Sequence, residues 1–469
     1  MKFVIVGGGI SGWLSALIFS HRKPNHEYVI IESSDVNTIG VGEGTTGLFV
    51  QTIEQLPDIN VAEFIRETKA TPKIGIEFNN WSGKGSTFFN PIDGTLTTNE
   101  DFDSFLYFTY IQNSSLDTSS LHGLLKRKNK SPYTEKLKDY NSALHLDNKL
   151  TIQYLKSKSL KRKNIKYISD TVSKIERDET GKVEKIICSN NIIEGDIFID
   201  CTGYSRIFSE KSDWVSFKNN LPMNSVTTFT RKHNVSMVTK ADKLNLGWCW
   251  QIPTQERIGC GYVSCDQWGN SVIDEIKSNY PDAEILKSFK FDSGKLKKSW
   301  NHNVISLGLA YHFLEPLQAT NIHLTLVQID ILCQRCIRQT KDRTLNPDVI
   351  SIYNKHIDNL IEDFKNFINI HYSRDSRVTL TDYNKKIISL LKVRGLFFED
   401  LPQLYGCSGI GLWGHTLLGL NHLTKQECHN FLSEMNLYEE VKQISSELQT
   451  IFKNTSFISY QELIKKLSI

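Results

Sequence analysis

Phe3-Val4-Ile5-Val6-Gly7-Gly8-Gly9-Ile10-Ser11-Gly12 is the stretch that decides the fold of this 469-residue chain. Its apolar first half predicts a buried strand, and Trp13 to Ser20 predicts a helix packed on a sheet. Gly7 permits a tight turn, Gly9 allows the backbone to approach a pyrophosphate, and Gly12 allows close packing of strand and helix. The free N–H groups at the start of the helix favour an anion. The stretch therefore predicts a dinucleotide cradle.

A second strand-like run, Tyr28 to Ile31, ends at Glu32, where an acid that accepts both ribose hydroxyls is expected. The fingerprint alone does not distinguish FAD from NAD. Further along, the run Asp200-Cys201-Thr202-Gly203 resembles the D-x-x-G element of glutathione-reductase-type flavoproteins, which favours FAD. Because no second G-x-G-x-x-G occurs, electrons are expected to arrive as already reduced flavin from a separate reductase.

The composition, with 39% hydrophobic and 23% charged residues, is that of a folded protein larger than one usual core. The net charge of +3 is too small for a nucleic-acid footprint. Absence of a leader pattern and of any apolar run near the length of a membrane span predicts a cytoplasmic protein. Nine cysteines favour reduced thiols, and Cys333-x-x-Cys336 is interpreted as packing. The spacing of the 13 histidines predicts no metal site.

The predicted fold class is α/β: an FAD-binding, glutathione-reductase-type three-layer fold with an antiparallel sheet layer and a helical C-terminal part. Residues 1–340 are expected to form the core and 341–469 the helical region. The core is divided into a discontinuous nucleotide domain (1–80, 143–210 and 295–340), a loop insertion (82–140) and an antiparallel substrate sheet (213–300). Helices are predicted after Asn346-Pro347, over Tyr438 to Phe452 and over Tyr460 to Leu467.

Four motifs resemble those of the flavin-dependent halogenases of the tryptophan halogenase type. Ala70 to Trp81 looks like the segment that holds their essential lysine, here Lys73. Val41 to Thr46 is similar to their flavin-contacting G-E-A-T strap, and Gly247 to Pro253 to their W-x-W-x-I-P signature. Asn303 to Leu324 is similar to the block around E-P-L-E-S-T. The matches keep the family order over roughly four fifths of the chain.

The resemblance implies that reduced FAD, oxygen and halide give hypohalous acid, which travels through a tunnel to Lys73 beside the substrate. The ammonium of Lys73 would hydrogen-bond hypohalous acid or form a haloamine, and halogen would pass to an indole, phenol or tryptophan-like ring. Independently of the family, Lys73 alternates with Ile74, Ile76 and Phe78, which alone suggests an ordinary exposed lysine. Partners are a flavin reductase and a small aromatic substrate, without nucleic acid or membrane; a homo-oligomer is left open.

Trp248 and Trp250 lie two positions apart on a predicted strand and therefore point to the same face. The resemblance makes them, with Ile252 and Pro253, the wall between flavin and substrate and part of the tunnel. Leu309 stands where flavin monooxygenases carry an aspartate, which favours a halogenase over a hydroxylase. The cofactor contacts expected are Gly7, Gly9, Ile10, Ser11, Gly12, Glu32, Gly42, Glu43, Thr45, Asp200, Gly203 and Leu317.

The chain departs from the family motif at Gln318-Ala319-Thr320-Asn321, where the family has E-S-T-G. Gln318 cannot act as a base, and loss of the carboxylate is expected to lower the pKa of Lys73. The peptide N–H groups of Thr320 and Asn321 are the predicted halide site, with Asn321 adopting the positive φ that Gly would supply.

Aromatic residues of the loop insertion, Phe88, Phe89 and Phe105 to Tyr110, are candidate substrate contacts, although such a cluster is more often core. The changes at Gln318 and Ala319 leave a flavin monooxygenase or oxidase as the alternative activity. A flavin-binding protein without halogenating activity is the third interpretation.

Overall fold

The structure is a computed structural model that describes residues 1–35, 42–92, 103–112, 116–234, 236–401 and 409–467. Val41 of the predicted strap and part of the predicted loop insertion, including Gly94 and Phe102, lie outside these residues.

The first part of the chain alternates strands and helices. Its elements are β1 (Lys2–Val6), α1 (Ile10–Arg22), β2 (Glu27–Glu32), β3 (Glu43–Gly44), α2 (Gly47–Glu54), α3 (Val61–Thr68), β4 (Thr71–Lys73), β5 (Gly75–Asn79), β6 (Thr87–Pro91), α4 (Ser104–Gln112), α5 (Leu121–Arg127), β7 (Ala143–Leu146) and α6 (Asn148–Ser159).

The middle of the chain is built mostly of strands, with one α-helix before the last strands. Its elements are β8 (Ile165–Ser169), β9 (Val172–Arg177), β10 (Val183–Cys188), β11 (Ile192–Glu194), β12 (Ile197–Asp200), β13 (Trp214–Ser216), β14 (Ser225–Lys232), β15 (Val238–Lys243), β16 (Gly247–Pro253), β17 (Arg257–Ser264), α7 (Ser271–Asn279), β18 (Glu284–Lys290), β19 (Gly294–Leu296), β20 (Trp300–Asn301), β21 (Val304–Ser306) and β22 (His312–Phe313).

The last part is helical over the described residues. Its helices are α8 (Thr320–Ile331), α9 (Lys341–Thr344), α10 (Pro347–His371), α11 (Asp382–Arg394), α12 (Gly409–Gly419), α13 (Lys425–Glu434), α14 (Tyr438–Asn454) and α15 (Tyr460–Leu467).

A six-stranded sheet carries the nucleotide end of the molecule, in the order β20-β21-β12-β1-β2-β8. Its strands run parallel from β21 to β8, and β20 is the antiparallel edge. Parallel strands are covered on both faces, which explains why Phe3, Val4 and Ile5 follow one another without a polar residue and are fully buried. Helices α1, α6 and α8 pack together beside this sheet. The predicted α/β class is confirmed.

A seven-stranded mixed sheet forms the second layer, in the order β18-β14-β17-β16-β15-β5-β6. All neighbours are antiparallel except β15 and β5, which run parallel. The antiparallel layer predicted between residues 213 and 300 is therefore present, and it is extended by β5 and β6 from the start of the chain. A small sheet, β3-β7-β4, joins the strap to the strand that ends at Lys73.

The C-terminal helices follow the predicted apolar spacing. Asn346 caps α10, because its side chain accepts from the backbone N–H of Asp348 at 2.9 Å and of Val349 at 3.3 Å. The predicted helices from Tyr438 and Tyr460 are also confirmed, as α14 and α15. Within the described ranges, every helix is too short or too polar to cross a bilayer.

Candidate active site

The glycine-rich turn is built as its spacing predicts. Gly7 has φ +121°, and a Cβ on it would lie 2.2 Å from the carbonyl oxygen of Cys201. A Cβ on Gly12 would lie 1.9 Å from the carbonyl oxygen of Gly7, so strand and helix could not pack at this distance with any other residue. A Cβ on Gly9, by contrast, would meet no described atom within 4 Å. The turn thus leaves open space above Gly9, at the N-terminus of α1.

The acids predicted to contact the nucleotide lie around this turn. Glu32 ends β2, pairs with Lys156 at 2.5 Å and accepts from the hydroxyl of Tyr167 at 3.1 Å. Asp200 ends β12, is fully buried, and accepts from the backbone N–H of Thr202 at 2.9 Å. Burial raises the pKa of Asp200. Open space at the helix N-terminus, with a carboxylate at the end of the next strand, fits a dinucleotide such as FAD.

One cavity of about 300 Å³ connects the turn with the predicted lysine. The residues Gly9, Ile10, Ser11 and Gly203 line it at the nucleotide end, and Gly42 and Glu43 line it along the strap. Lys73, Trp250, Ile252, Ala319 and Asn321 line its other end. Leu317 is instead buried in the apolar core, and its neighbour Pro316 takes part in the lining. The structure therefore brings six of the twelve predicted cofactor contacts and Lys73 to one space, and the lining does not include Gly7, Gly12, Glu32, Thr45, Asp200 or Leu317.

Lys73 is fully buried, so the exposed lysine suggested by strand alternation is wrong. The reason is that Lys73 ends β4, a strand of the small sheet, and is separated from the alternating residues of β5 by Ile74. Its Nζ donates to the carbonyl oxygen of Thr45 at 2.9 Å. Thr45 is itself fixed to β7, since its backbone N–H donates to the carbonyl oxygen of Leu144 at 2.8 Å.

Burial lowers the pKa of Lys73 to about 7. An amine with this pKa is present near neutral pH both as ammonium, which donates hydrogen bonds, and as free amine, which is nucleophilic. Such a shift in a residue that lines a cavity is typical of a functional site.

A histidine that the sequence analysis missed lies beside Lys73. His145 is fully buried on β7, and its pKa is well below the usual range because of desolvation and the nearby Lys73 charge. The hydroxyl of Thr71 donates to the carbonyl oxygen of Pro253 at 2.7 Å, so it accepts from Nδ1 of His145 at 3.0 Å. Nε2 then accepts from the hydroxyl of Thr239 at 2.8 Å. This neutral histidine joins β4, β7, β15 and β16 around the lysine.

The two tryptophans of β16 point to the same side, as predicted, with ring centroids 6.0 Å apart. Trp250 lines the cavity, and Trp248 continues the aromatic surface to Trp81 at 6.1 Å. Behind them Glu315, fully buried, accepts from the hydroxyl of Tyr372, and burial raises the pKa of Glu315 to about 7.

Gln318 donates from Nε2 to Nε2 of His371 at 2.8 Å, and the cavity lining that contains Lys73 does not include it. The direction is fixed because Nδ1 of His371 donates to the carbonyl oxygen of Phe367 at 2.8 Å. Burial lowers the pKa of His371 to about 4, so the pair is neutral. The family position of a carboxylate is thus occupied by an uncharged hydrogen-bonded pair.

The expected positive φ at Asn321 is wrong: Ala319 has φ +56°, and Asn321 is already within α8. The left-handed residue is the one that precedes the helix, because the chain must turn there to start α8. Thr320 and Asn321 are therefore the first two residues of the helix, whose initial N–H groups lack partners within it. Asn321 and Ile322 line the cavity, so this predicted halide site lies at its edge.

The candidate substrate contacts of the loop insertion are buried in the apolar core, except Tyr110, which is half-buried at its edge. Phe88 stacks on Phe78 at 4.7 Å, and Phe105 to Phe108 are buried along α4. Within the described residues, no group of three or more His, Cys, Asp or Glu side chains could hold a metal ion. The eight cysteines of the described part are free thiols, and Cys407 lies outside it.

Solved structures of low sequence identity share this fold over their whole length. Tar14, a tryptophan C-6 flavin-dependent halogenase (chlorinase) from taromycin biosynthesis, superposes with a TM-score of 0.85 at 21% identity, covering 100% of both chains. BrvH, a flavin-dependent halogenase from Brevundimonas sp. BAL3, gives 0.81 at 22% identity, covering 100% of this chain and 99% of that one.

Sequence relatives give the same result. Tryptophan 7-halogenase RebH of Lentzea aerocolonigenes is 24% identical over 409 residues, 79% of this chain and 76% of the relative. Tryptophan 6-halogenase SttH of Streptomyces toxytricini is 25% identical over 413 residues, 79% of this chain and 78% of the relative. The sequence profile described as tryptophan halogenase matches residues 2–405. The chain therefore belongs to the tryptophan halogenase family of flavin-dependent enzymes.

Proposed function

We propose that this protein halogenates an electron-rich aromatic small molecule, an indole, a phenol or a tryptophan-like compound. It would use reduced FAD from a separate reductase, molecular oxygen and a halide ion. Bound reduced FAD would supply two electrons to oxygen and the halide the other two, so that one oxygen atom leaves as water, the other forms hypohalous acid, and FAD is left oxidised. The observation that carries the proposal is a fully buried lysine, Lys73, on the wall of the same cavity as the glycine-rich turn.

Lys73 would hold hypohalous acid against the aromatic ring. Among the described residues, the Nζ of Lys73 donates one hydrogen bond, to the Thr45 carbonyl. Its other N–H groups are therefore available to a ligand in the cavity. Burial keeps the amine away from bulk water, which would otherwise compete for it and hydrolyse reactive halogen species. The strap and β7 hold the amine in one place, which supports its role in orienting the reagent.

The transfer balances without an additional base. The ring carbon takes the halogen from hypohalous acid, the oxygen–halogen bond breaks, and the ring proton combines with the departing hydroxide to give water. This is consistent with Gln318, whose neutral amide is bonded to His371 and cannot accept a proton. Loss of the family carboxylate supports substrates that are activated by their own ring substituents.

The halide would bind at the start of α8. The N–H groups of Thr320 and Asn321 belong to the first turn of a twelve-residue helix, where the helix dipole favours an anion. Asn321 lines the cavity beside Ala319, so the halide would be held by backbone rather than by a charged side chain. Trp250 and Ile252 close the cavity on the opposite sheet and would keep flavin and aromatic substrate apart.

The test is a halide-resolved product assay. The protein is incubated with reduced FAD, oxygen, each halide in turn and a panel of indoles and phenols, and halogenated products are quantified by mass spectrometry. Lys73→Ala is expected to lower product formation by at least about a hundredfold while flavin binding and flavin oxidation continue. Lys84→Ala, on the exposed turn between β5 and β6, is the matched lysine control and is expected to behave as wild type.

A flavin monooxygenase or oxidase is the second candidate, favoured by Gln318 and Ala319, which depart from the halogenase motif. Hydroxylated product that forms without halide would identify it. Peroxide release from reduced flavin with no substrate turnover would instead indicate a flavin-binding protein without halogenating activity. Absence of halogenated product while flavin is bound would contradict the leading proposal.

A further inference from the structure

An exposed tyrosine lies at the edge of the cavity. Tyr204 lines the cavity next to Gly203, yet 37% of its surface is accessible to solvent. Among the described residues, its hydroxyl group has no hydrogen-bond partner. Neither a polar bond nor complete burial therefore holds the ring of Tyr204 in place, and part of the ring borders the space where a ligand would lie.

The loop that carries Tyr204 has a constrained backbone. Gly203 has φ +61° and Arg206 has φ +44°, so a left-handed residue stands on each side of Tyr204 and Ser205. A left-handed arginine costs conformational energy, and such residues cluster where the chain holds a ligand. The Cζ atom of Arg206 lies 3.6 Å from the ring centroid of Trp214 and 5.7 Å from that of Tyr204. Arg206 thus anchors the loop on Trp214 and leaves the ring of Tyr204 beside the cavity.

Three aromatic residues that line the cavity form what we name the Tyr204 corner: Tyr204, Phe291 and Phe313. The rings of Tyr204 and Phe313 meet edge to face with their centroids 5.4 Å apart, and those of Phe313 and Phe291 do so at 5.0 Å. Phe291 and Phe313 are buried in the apolar core, whereas Tyr204 is exposed. Tyr204 is therefore the member of the corner that can move without disturbing the core.

The Tyr204 corner fits the flavin half of FAD rather than the adenosine half. Glu32, the expected partner of the ribose, is not part of the cavity lining, so the adenosine half would lie outside this cavity. Gly9, at the expected pyrophosphate position, and Lys73 both line it. The group of FAD that lies on the other side of the pyrophosphate from adenosine is the planar isoalloxazine ring. Aromatic rings pair favourably with such a ring, either edge to face or offset-stacked.

We propose that Tyr204 covers the isoalloxazine ring at the edge of the cavity and controls how fast flavin leaves. This inference rests on the proposed function, because a protein that receives reduced FAD from a separate reductase must bind and release flavin in each turnover. Phe291 and Phe313 form the fixed part of the corner, and Tyr204 is its movable part. The contact is made by the ring of Tyr204 and not by its hydroxyl group.

The experiment measures association and dissociation of FAD by stopped-flow spectroscopy, with oxidised FAD in air and with reduced FAD under anaerobic conditions. Tyr204→Ala removes the ring and is expected to raise the dissociation rate about tenfold, with the association rate constant changed less than about twofold. Tyr204→Phe keeps the ring and is expected to dissociate within about twofold of the wild-type rate. Tyr204→Leu, large and apolar but not aromatic, is expected to raise the rate about threefold.

Ile207→Ala is the matched control. Ile207 belongs to the same loop and is 36% exposed, but it does not line the cavity. Its variant is expected to release FAD within about twofold of the wild-type rate. An equal rise in Ile207→Ala and Tyr204→Ala would mean that the loop as a whole, and not the ring, slows release, and this would overturn the proposal.

Three further outcomes are decisive. Wild-type dissociation rates in Tyr204→Ala, or in Tyr204→Leu if the alanine variant does not fold, would overturn the cover while leaving the proposed function intact. A rise in Tyr204→Phe equal to that in Tyr204→Ala would place the contact on the hydroxyl group and overturn it as well. Failure of the wild-type protein to bind FAD in either redox state would instead overturn the proposed function itself.

Discussion

The two ends of the cavity are built on opposite principles. At the nucleotide end the site is made of backbone, with open space above Gly9, and its acid Glu32 is partly exposed and already paired with Lys156. At the other end the site is one charged side chain, Lys73, which is fully buried and has a single carbonyl as its described hydrogen-bond partner. The nucleotide end buries the carboxyl group of Asp200, which keeps a backbone partner in Thr202, whereas the lysine end buries an amine whose pKa falls to about 7 and must be stabilised by the rest of the fold.

The lysine end is where the fold loses stability in order to hold a reactive group. Glycines that make a turn cost conformational entropy but add no ionisable side chain to the interior. A buried amine loses its hydration, and this loss is what lowers the pKa of Lys73 to about 7. If this comparison is correct, mutations at the nucleotide end change ligand affinity or packing, and mutations at the lysine end change stability in a pH-dependent way.

Two glycines of the same turn give the largest expected effects. Gly9 has φ −78° and open space at its Cβ position, so Gly9→Val is expected to leave the unfolding free energy of the flavin-free protein within about 0.5 kcal/mol. Its side chain would occupy the pyrophosphate position and weaken FAD binding at least about a hundredfold, about 3 kcal/mol. Isothermal titration with FAD and urea denaturation separate the two effects.

Gly12→Ala is the contrasting variant, because its Cβ would lie 1.9 Å from the Gly7 carbonyl oxygen. It is expected to lower the unfolding free energy by about 2 kcal/mol or more together with FAD affinity. Equal losses of unfolding free energy in Gly9→Val and Gly12→Ala would show that Gly9 is as tightly packed as Gly12, which would contradict this prediction.

Lys73→Met has the next largest expected effect, and it raises the unfolding free energy instead of lowering it. The pKa of Lys73 is about 7 in the folded protein, against 10.5 for a free lysine, so the unfolded state binds more protons between these values. The stability of the wild-type protein therefore rises with pH across this range, by at most about 5 kcal/mol. Methionine removes the cost of burying an amine, but it leaves the Thr45 carbonyl without its hydrogen-bond donor. The variant is therefore expected to be about 2 kcal/mol more stable than wild type at pH 7.

Urea denaturation of flavin-free wild type and Lys73→Met at pH 7, 8, 9 and 10 measures this difference. The advantage of the variant is expected to shrink steadily as the pH rises, because the wild-type lysine becomes neutral in the unfolded state too. A constant difference across the series, or a variant less stable than wild type at pH 7, would show that the amine is not desolvated in the folded protein.

The same contrast explains what could be predicted from sequence. The nucleotide end is encoded by the run from Phe3 to Glu32, where strand, turn, helix and acid follow local rules of spacing. Its geometry could therefore be predicted from the sequence. The burial of Lys73 was not, because it depends on β4 pairing with β7, seventy residues away in the chain. The motif resemblance identified the lysine, but alternation with Ile74 and Ile76 suggested the wrong exposure.

Residues that act through tertiary contacts were missed for the same reason. His145 reaches Thr71 only because β7 lies beside β4. The one sequence signal for it was a single histidine within an apolar strand. The turn of Gln318 toward His371 depends on the end of α10, fifty-three residues later. The positive φ at Ala319 rather than at Asn321 depends on where α8 begins, and a helix start is poorly fixed by sequence alone.

Gln318→Glu gives the smallest expected effect and tests whether the lysine end tolerates a returned carboxylate. Nε2 of His371 now accepts from the Gln318 amide, and a carboxylate would bring two acceptors together. The folded variant must therefore hold a proton between these two groups, on His371 or on the new carboxyl group. The unfolded chain has released this proton at any pH above the ordinary pKa of the two side chains. Because the folded state then binds more protons, stability falls as the pH rises.

We expect Gln318→Glu to lower the unfolding free energy by about 1–2 kcal/mol at pH 8 and by less at pH 5.5, measured by urea denaturation of the flavin-free protein. Gln318→Met is the matched control: it removes the donor without adding charge, so its loss is expected to be independent of pH. A pH-independent loss in both variants would mean that the glutamate side chain leaves His371 and reaches another partner. In that case packing alone would explain the neutral Gln318–His371 pair. Lys73 would then be the one residue of the lysine end whose burial makes stability depend on pH.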